Sequence, residues 1–137
     1  MADCGRAADS RRVRADAEQV PRLRAAIRAF TRDHCDHCEE TQQTVAVGVT
    51  EACSNVVRHA YPDGPGELWL TGRLDGDQFT VTVVDEGIGV EADTRSAGLG
   101  LGLPLMQELA TTTITSDQHG TLVHLRFHRT SPTRLSR

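Results

Sequence analysis

The spacing of apolar residues predicts two helices in the first half of the chain. From residue 16 to residue 34, apolar side chains recur every three or four positions, as on the buried face of an amphipathic helix. Asp16 is a suitable N-cap for this helix. The same period returns over residues 39–60, and the Pro- and Gly-rich segment 61–66 would end a second helix there.

Beyond residue 66 the apolar period falls to two, which predicts strands. Residues 68–74 and 79–84 form one predicted hairpin around Asp75-Gly76, a turn dipeptide that favours positive φ. Residues 112–116 and 121–127 form another, and Pro104 favours a short helix over residues 103–110 between the two hairpins. This order predicts an α/β fold of the α+β, two-layer sandwich type, with a mostly antiparallel mixed sheet and the helices on one face.

The patterned part of the chain predicts one domain over residues 12–128. Residues 1–11 and 129–137 are polar and aperiodic, so we expect flexible termini there. No apolar run approaches the roughly 20 residues of a membrane span, and no apolar stretch near the N-terminus resembles a secretion signal. We therefore expect a cytoplasmic protein with no membrane partner.

Charge and composition restrict the classes of function. The formal net charge is -4, and no basic face interleaved with aromatic residues is visible, so we expect no direct nucleic-acid partner. All 15 basic residues are arginine. The absence of lysine excludes the P-loop, whose lysine reaches the phosphates, as well as Schiff-base chemistry.

Glu51 and Asn55 could serve a phosphate-bound metal ion. They are four positions apart on the second predicted helix, so their side chains project from one face. The Asn55 amide oxygen suits a Mg²⁺ ion that bridges phosphates, and Glu51 could act as a general base one turn away. The alternative is an ordinary solvated helix face. Arg58 and His59 continue this polar side without an assigned role.

Asp85, Gly87 and Gly89 follow directly on a strongly β-forming segment. An ionised aspartate at a strand end can accept a hydrogen bond from the amine of adenine, and glycine lets a flat ring lie against the backbone. A plain strand-to-loop turn is the alternative. The segment 87–92 also matches the dinucleotide-binding fingerprint formally, but a polar segment follows it where an apolar-faced helix is required. We reject the dinucleotide reading.

Gly98, Gly100 and Gly102 alternate immediately before the short predicted helix. Small residues in this arrangement let backbone N–H groups turn toward an anion, and the helix N-terminus adds partial positive charge. A flexible linker is the alternative, but the leucines between the glycines are too apolar for one.

Together these motifs resemble the N, G1 and G2 boxes of the ATPase superfamily that contains DNA gyrase, the 90-kDa heat-shock chaperone, histidine kinases and MutL. The strings EACSNVVRHAY, DEGIG and GLGLGLPLM and the late Gly120-Thr121 pair are most similar to the anti-sigma factor serine/threonine kinases of the RsbW type. The resemblance covers residues 12–128 and implies a Bergerat ATP-binding fold.

The resemblance also implies roles for individual residues. Glu51 would be the catalytic base and Asn55 the magnesium ligand, while Asp85 would bind adenine. The other implied ATP-binding residues are Gly87, Gly89, Gly98, Gly100, Gly102, Leu103 and Thr121. Family members phosphorylate a serine of an anti-sigma factor antagonist and also sequester a sigma factor, and they commonly form dimers, which makes a homodimer an expectation.

One departure from the family separates the remaining hypotheses. Only eight residues, 90–97, lie between the G1 and G2 boxes, where relatives carry a longer lid over the ATP. A short lid favours weaker nucleotide retention. An ATP-binding regulatory module without efficient phosphotransfer therefore stands beside the kinase hypothesis, and a hydrolase fragment of a larger signalling system is the third alternative.

The segment His34-Cys35-Asp36-His37-Cys38 holds four residues of zinc-ligand type. Structural zinc sites normally combine two well-separated ligand pairs. We expect a polar loop between the helices here, with a metal or redox site as the alternative.

Overall fold

The two helices form the layer that covers one face of the sheet. The computed structural model describes residues 6–35, 39–76, 78–88 and 110–128. Helix α1 spans Gln19–Cys35 and helix α2 spans Glu39–His59. No helix in this part of the chain has the length and apolar character that crossing a membrane requires.

The start of α1 corrects one prediction. The helix begins three residues after Asp16, so Asp16 is not its N-cap. Its backbone carbonyl accepts a hydrogen bond from Gln19 N–H at 2.9 Å within a turn, and its carboxylate lies 3.7 Å from Arg14. Pro21 explains the later start. A helix beginning at residue 17 would need an N–H group from Pro21, whereas proline is tolerated in the first turn of a helix that begins at residue 19.

Five strands form one sheet in the order β1-β2-β3-β5-β4. The strands are β1 (Arg6–Arg14), β2 (Glu67–Asp75), β3 (Gln78–Asp85), β4 (Thr111–Asp117) and β5 (Gly120–His128). Each neighbouring pair is antiparallel. Both predicted hairpins are confirmed, and Gly76 has a φ of 65°, as expected for the first turn.

Strand β1 was not predicted, and the expectation of a flexible end was wrong for residues 6–11. These residues pair along the whole edge of β2, from Arg6 opposite Asp75 to Arg14 opposite Glu67. The sequence signal was weak because an edge strand needs few apolar side chains. Only the partly buried Ala7 and Val13 of this strand pack against the core, while most of its other positions are charged, as is common at sheet edges.

The core lies between the helices and the covered face of the sheet. Gly72 of β2 lets Ile27 of α1 approach closely, since a Cβ at this glycine would lie 2.7 Å from the Ile27 side chain. Gly48 of α2 similarly faces Phe127 of β5. The expected α+β sandwich with helices on one face is thus confirmed, and every described strand pair is antiparallel. The predicted helix 103–110 lies outside the described residues, apart from Ala110.

Candidate nucleotide site

A pocket opens where the C-terminal half of α2 faces the ends of β3 and β5. Asn55, Asp85 and Thr121, which are distant in sequence, all line it. Most of the wall is aliphatic, with Ile88, Ile114 and other small apolar side chains. A mainly apolar cleft with a few convergent polar groups is the usual form of a small-molecule site.

Helix α2 supplies one polar side of the pocket. Asn55 and His59 are one helical turn apart and both line it. Glu51, one turn before Asn55, is partly buried but is not among the residues of the pocket wall. The described residues therefore bring the predicted metal ligand and the predicted adenine acceptor into one cavity, with the predicted base beside it on the same helix.

Asp85 is a buried carboxyl group, only 5% exposed, at the last position of β3. Burial raises its pKa above the ordinary value, because the charged form loses contact with water. Backbone N–H groups of Gly87 and Thr121 donate hydrogen bonds to it and oppose that rise. The bond from Gly87 to Asp85 Oδ1 is 2.9 Å long. A buried acceptor held in this way can recognise a hydrogen-bond donor on a ligand.

The backbone after Asp85 passes very close to the end of α2. Ile88 N–H donates to the carbonyl of Ala60 at 2.9 Å. A Cβ on Gly87 would lie 2.0 Å from that same carbonyl oxygen, so only glycine fits at this position. Gly120 has a φ of 144°, and a Cβ there would lie 2.1 Å from the carbonyl oxygen of Asp85. Two glycines thus allow the close backbone approaches that shape this end of the pocket.

Thr121 lies opposite Asp85 in the β3–β5 ladder and closes the same end of the pocket. Its hydroxyl lies 2.9 Å from that of Ser116 on β4. The pair fixes a polar edge beside the Asp85 carboxyl group. Such an edge suits a water molecule shared with a base, and the sequence resemblance counts Thr121 among the implied ATP-binding residues.

The phosphate-binding half of the predicted site lies outside the described residues. This half comprises Gly98, Gly100 and Gly102. Gly89, which was predicted beside the adenine ring, and Leu103 also lie outside the described residues. Within the described part of the chain, no group of three or more His, Cys, Asp or Glu side chains could hold a metal ion. Asn55 still fits Mg²⁺, since this ion keeps several waters and is commonly held by one or two side chains and the substrate phosphates. Residues 36–38 of the predicted polar loop also lie outside the described residues.

Two side chains at the site received no role from the sequence. His59 lines the pocket, and its Nε2 atom is buried without a hydrogen-bond partner among the described residues. Buried polar atoms of this kind are uncommon and call for a partner such as a ligand or an ordered water. The four-residue spacing from Asn55 was the available signal. The other is Tyr61, whose hydroxyl contacts are long-range and leave no trace in the local sequence pattern.

Comparison with known proteins identifies the class. Residues 13–127 match the family model of the histidine kinase-like ATPase domain. The chain therefore belongs to this family, and its fold agrees with that assignment.

Individual relatives show which members of the family this chain resembles. The chain is 26% identical over 89 residues to the serine-protein kinase RsbW of Bacillus mycoides, a match that covers 65% of this chain and 55% of that protein. RsbW of Halalkalibacterium halodurans is 36% identical over 58 residues, which is 42% of this chain and 35% of that protein. The chain thus spans about half the length, or less, of these curated relatives.

Solved structures agree on the fold. The structure of the RsbU and RsbW domains of Rv1364c from Mycobacterium tuberculosis superposes with a TM-score of 0.70 at 18% identity, covering 90% of this chain and 33% of that one. The blue-light activated histidine kinase EL346 of Erythrobacter litoralis gives 0.64 at 24% identity, covering 85% of this chain and 42% of that one. At these identities the likeness shows the fold alone.

Proposed function

We propose that this chain is an ATP- and Mg²⁺-dependent serine/threonine protein kinase that acts as an anti-sigma regulatory factor. In this proposal it phosphorylates a serine of an anti-sigma factor antagonist and, in another state, sequesters a sigma factor. The observation that carries the proposal is the single pocket lined by Asn55, Asp85 and Thr121. Membership of the kinase-like ATPase family and the similarity to RsbW serine-protein kinases support it.

The adenine end follows from the chemistry of a buried carboxylate. Ionised Asp85 would accept a hydrogen bond from the exocyclic amine of adenine. Guanine presents a carbonyl oxygen at the corresponding position, and two acceptors facing each other in a dry pocket repel. Asp85 would therefore select ATP over GTP, while the aliphatic wall would cover the faces of the base.

The phosphate end of the site would be served by side chains of helix α2. Bound ATP and Mg²⁺ would supply the phosphoryl group and neutralise its charge. The amide oxygen of Asn55 would face the ion, and Glu51 would take the proton from the attacking serine hydroxyl. The glycines of residues 98–102 would cradle the phosphates through backbone N–H groups. His59, with its buried Nε2, could donate a further hydrogen bond to the nucleotide.

A second candidate is an ATP-binding regulatory module without efficient phosphotransfer. Two observations favour it. Glu51 is not part of the pocket wall among the described residues, and only eight residues separate the two glycine-rich boxes. Such a module would bind ATP and its protein partner, and nucleotide occupancy would regulate that complex.

Phosphotransfer from labelled ATP distinguishes the two candidates. The protein is incubated with Mg²⁺, labelled ATP and candidate antagonist proteins, and transferred label is counted. Glu51→Ala should reduce transfer about 10²- to 10⁴-fold because the general base acts in the transition state, with ATP affinity little changed. Glu40→Ala, the same change at the exposed start of α2, is the matched control and should transfer label normally.

The outcomes separate the candidates. Transfer that depends on Glu51 but not on Glu40 supports the kinase. A wild-type protein that binds ATP and a sigma factor but labels no antagonist supports the regulatory module. A protein that binds no ATP contradicts both.

A further inference from the structure

The hydroxyl group of Tyr61 joins two backbone segments that are distant in sequence. Tyr61 follows the end of α2, and its hydroxyl donates a hydrogen bond to the carbonyl of Glu67 at the start of β2, at 2.5 Å. The same oxygen accepts a hydrogen bond from the N–H of Glu86 at 2.8 Å. One phenol thus connects the first residue of β2 to the residue that follows Asp85.

Gly66 makes room for the Tyr61 ring. A Cβ at Gly66 would lie 2.2 to 2.3 Å from three atoms of the ring, so the ring lies directly against the backbone of this residue. In this position against Gly66, the hydroxyl of the ring reaches both Glu67 and Glu86. An aromatic side chain held in this way is a rigid support, because only its two side-chain torsions must be fixed.

The segment held by Tyr61 carries the polar contacts of Asp85. Glu86 N–H bonds to Tyr61, Gly87 N–H bonds to Asp85 Oδ1, and Ile88 N–H bonds to the carbonyl of Ala60. Three successive amides therefore have fixed partners, and two of these partners are Ala60 and Tyr61, the residues directly after α2. The position of the Asp85 carboxyl group depends on these anchors, because Gly87 is bonded directly to it.

We propose that Tyr61 is a positioning residue for the nucleotide site: its hydroxyl fixes the Glu86 amide, and through it the loop that orients Asp85. This inference rests on the proposed nucleotide binding and adds a residue that does not line the pocket. Loss of the hydroxyl removes both hydrogen bonds but changes stability little, since Glu86 is exposed and Glu67 only partly buried, so that water can replace them. It changes affinity more, since a binding constellation must be held within about 0.5 Å of its productive geometry.

The test compares Tyr61→Phe with a matched hydroxyl deletion. Thr44→Val is the control, because Thr44 also donates a side-chain hydrogen bond to a backbone carbonyl, that of Glu40 at 2.9 Å, near the other end of α2. Two quantities are measured for each variant. One is the ATP affinity by calorimetry, and the other is hydrogen exchange of the Glu86 amide in the ligand-free protein by NMR.

Tyr61→Phe should weaken ATP binding about 3- to 10-fold and speed exchange at Glu86, whereas Thr44→Val should change neither. Gly66→Ala is a second variant that displaces the ring without altering its hydroxyl, and it should reproduce both effects. Unchanged exchange at Glu86 in Tyr61→Phe overturns the proposal, as does an affinity loss equal to that of Thr44→Val.

The failure of this inference is distinguishable from failure of the proposed function. If the wild type binds ATP and Tyr61→Phe binds it equally well, only the positioning role of Tyr61 is contradicted. If the wild type binds no ATP, the proposed nucleotide site and the role of Tyr61 in it are both contradicted.

Discussion

Replacing Gly87 by alanine tests the geometry of the pocket most directly. The added Cβ would lie 2.0 Å from the carbonyl oxygen of Ala60 and 2.8 Å from the Cβ of Ala60. Contacts under 3.0 Å are essentially never seen for real Cβ atoms. Because the obstacle is backbone at the end of α2, the loop itself must move by about 1 Å to relieve the contact.

A shift of that size breaks identifiable hydrogen bonds. The Ile88 to Ala60 and Gly87 to Asp85 bonds are both 2.9 Å long, so a 1 Å displacement takes them beyond hydrogen-bonding distance. Each lost bond costs about 0.5–1.5 kcal/mol, and the residual steric strain about 1–3 kcal/mol. Allowing for partial relaxation, we expect a destabilisation of about 2–4 kcal/mol, or about 8–16 °C in Tm at roughly 4 °C per kcal/mol.

The assay is thermal unfolding together with ATP titration, and Gly64→Ala is the control. Gly64 lies in the neighbouring loop, and a Cβ there would meet no atom within 4 Å. The control should bind ATP normally and unfold near the wild-type temperature. Gly87→Ala should lose at least about tenfold in affinity as well as stability. If both variants unfold at the same temperature and bind ATP equally, the close approach described here is wrong.

Three further outcomes are expected. Asp85→Asn should weaken ATP binding by about 1–3 kcal/mol, seen by calorimetry, yet stabilise the ligand-free protein at neutral pH. The sign follows from the raised pKa of Asp85. The protonated Asp85 carboxyl contributes its full share of the folding stability below the unfolded-state pKa, and the wild type loses this share as pH rises through the folded-state pKa. The stability advantage of asparagine should therefore vanish in acid. A stability difference that grows in acid would contradict this. Asn55→Ala should abolish the benefit of Mg²⁺ for ATP binding while leaving adenosine binding intact, and an equal loss for both ligands would mean that the helix was merely destabilised. Burial raises the pKa of the Cys53 thiol to about 12, so iodoacetamide at pH 8 should alkylate Cys53 only after unfolding, as mapped by mass spectrometry.

The elements with a strong local pattern could be predicted from sequence, as α2 and both hairpins show. The period of apolar residues located them because these elements bury one face against the core. The unpredicted strand β1 has no such requirement along most of its length. Its partner is the edge of β2, about 60 residues later in the chain, and no local pattern encodes that pairing.

The candidate site divides in the same way. Residue type and spacing singled out Asn55 and Asp85, and the fold brings both into one pocket with Thr121. The contribution of Tyr61 could not be predicted, because it consists of hydrogen bonds to backbone groups of Glu67 and Glu86. Any residue type presents these groups, so the sequence at those two positions carries no trace of the contact.

The pairing of β1 with β2 affects where the chain can be cut for experiments. The match to the family model begins at residue 13, whereas the strand begins at Arg6. A fragment designed from that boundary would lack residues 6–12 and would leave most of the β2 edge without its partner. Exposed edges of this kind recruit strands from other molecules. A shortened protein would therefore be prone to aggregate. The cause would be the exposed edge of β2 and not the pocket, which lies at β3 and β5.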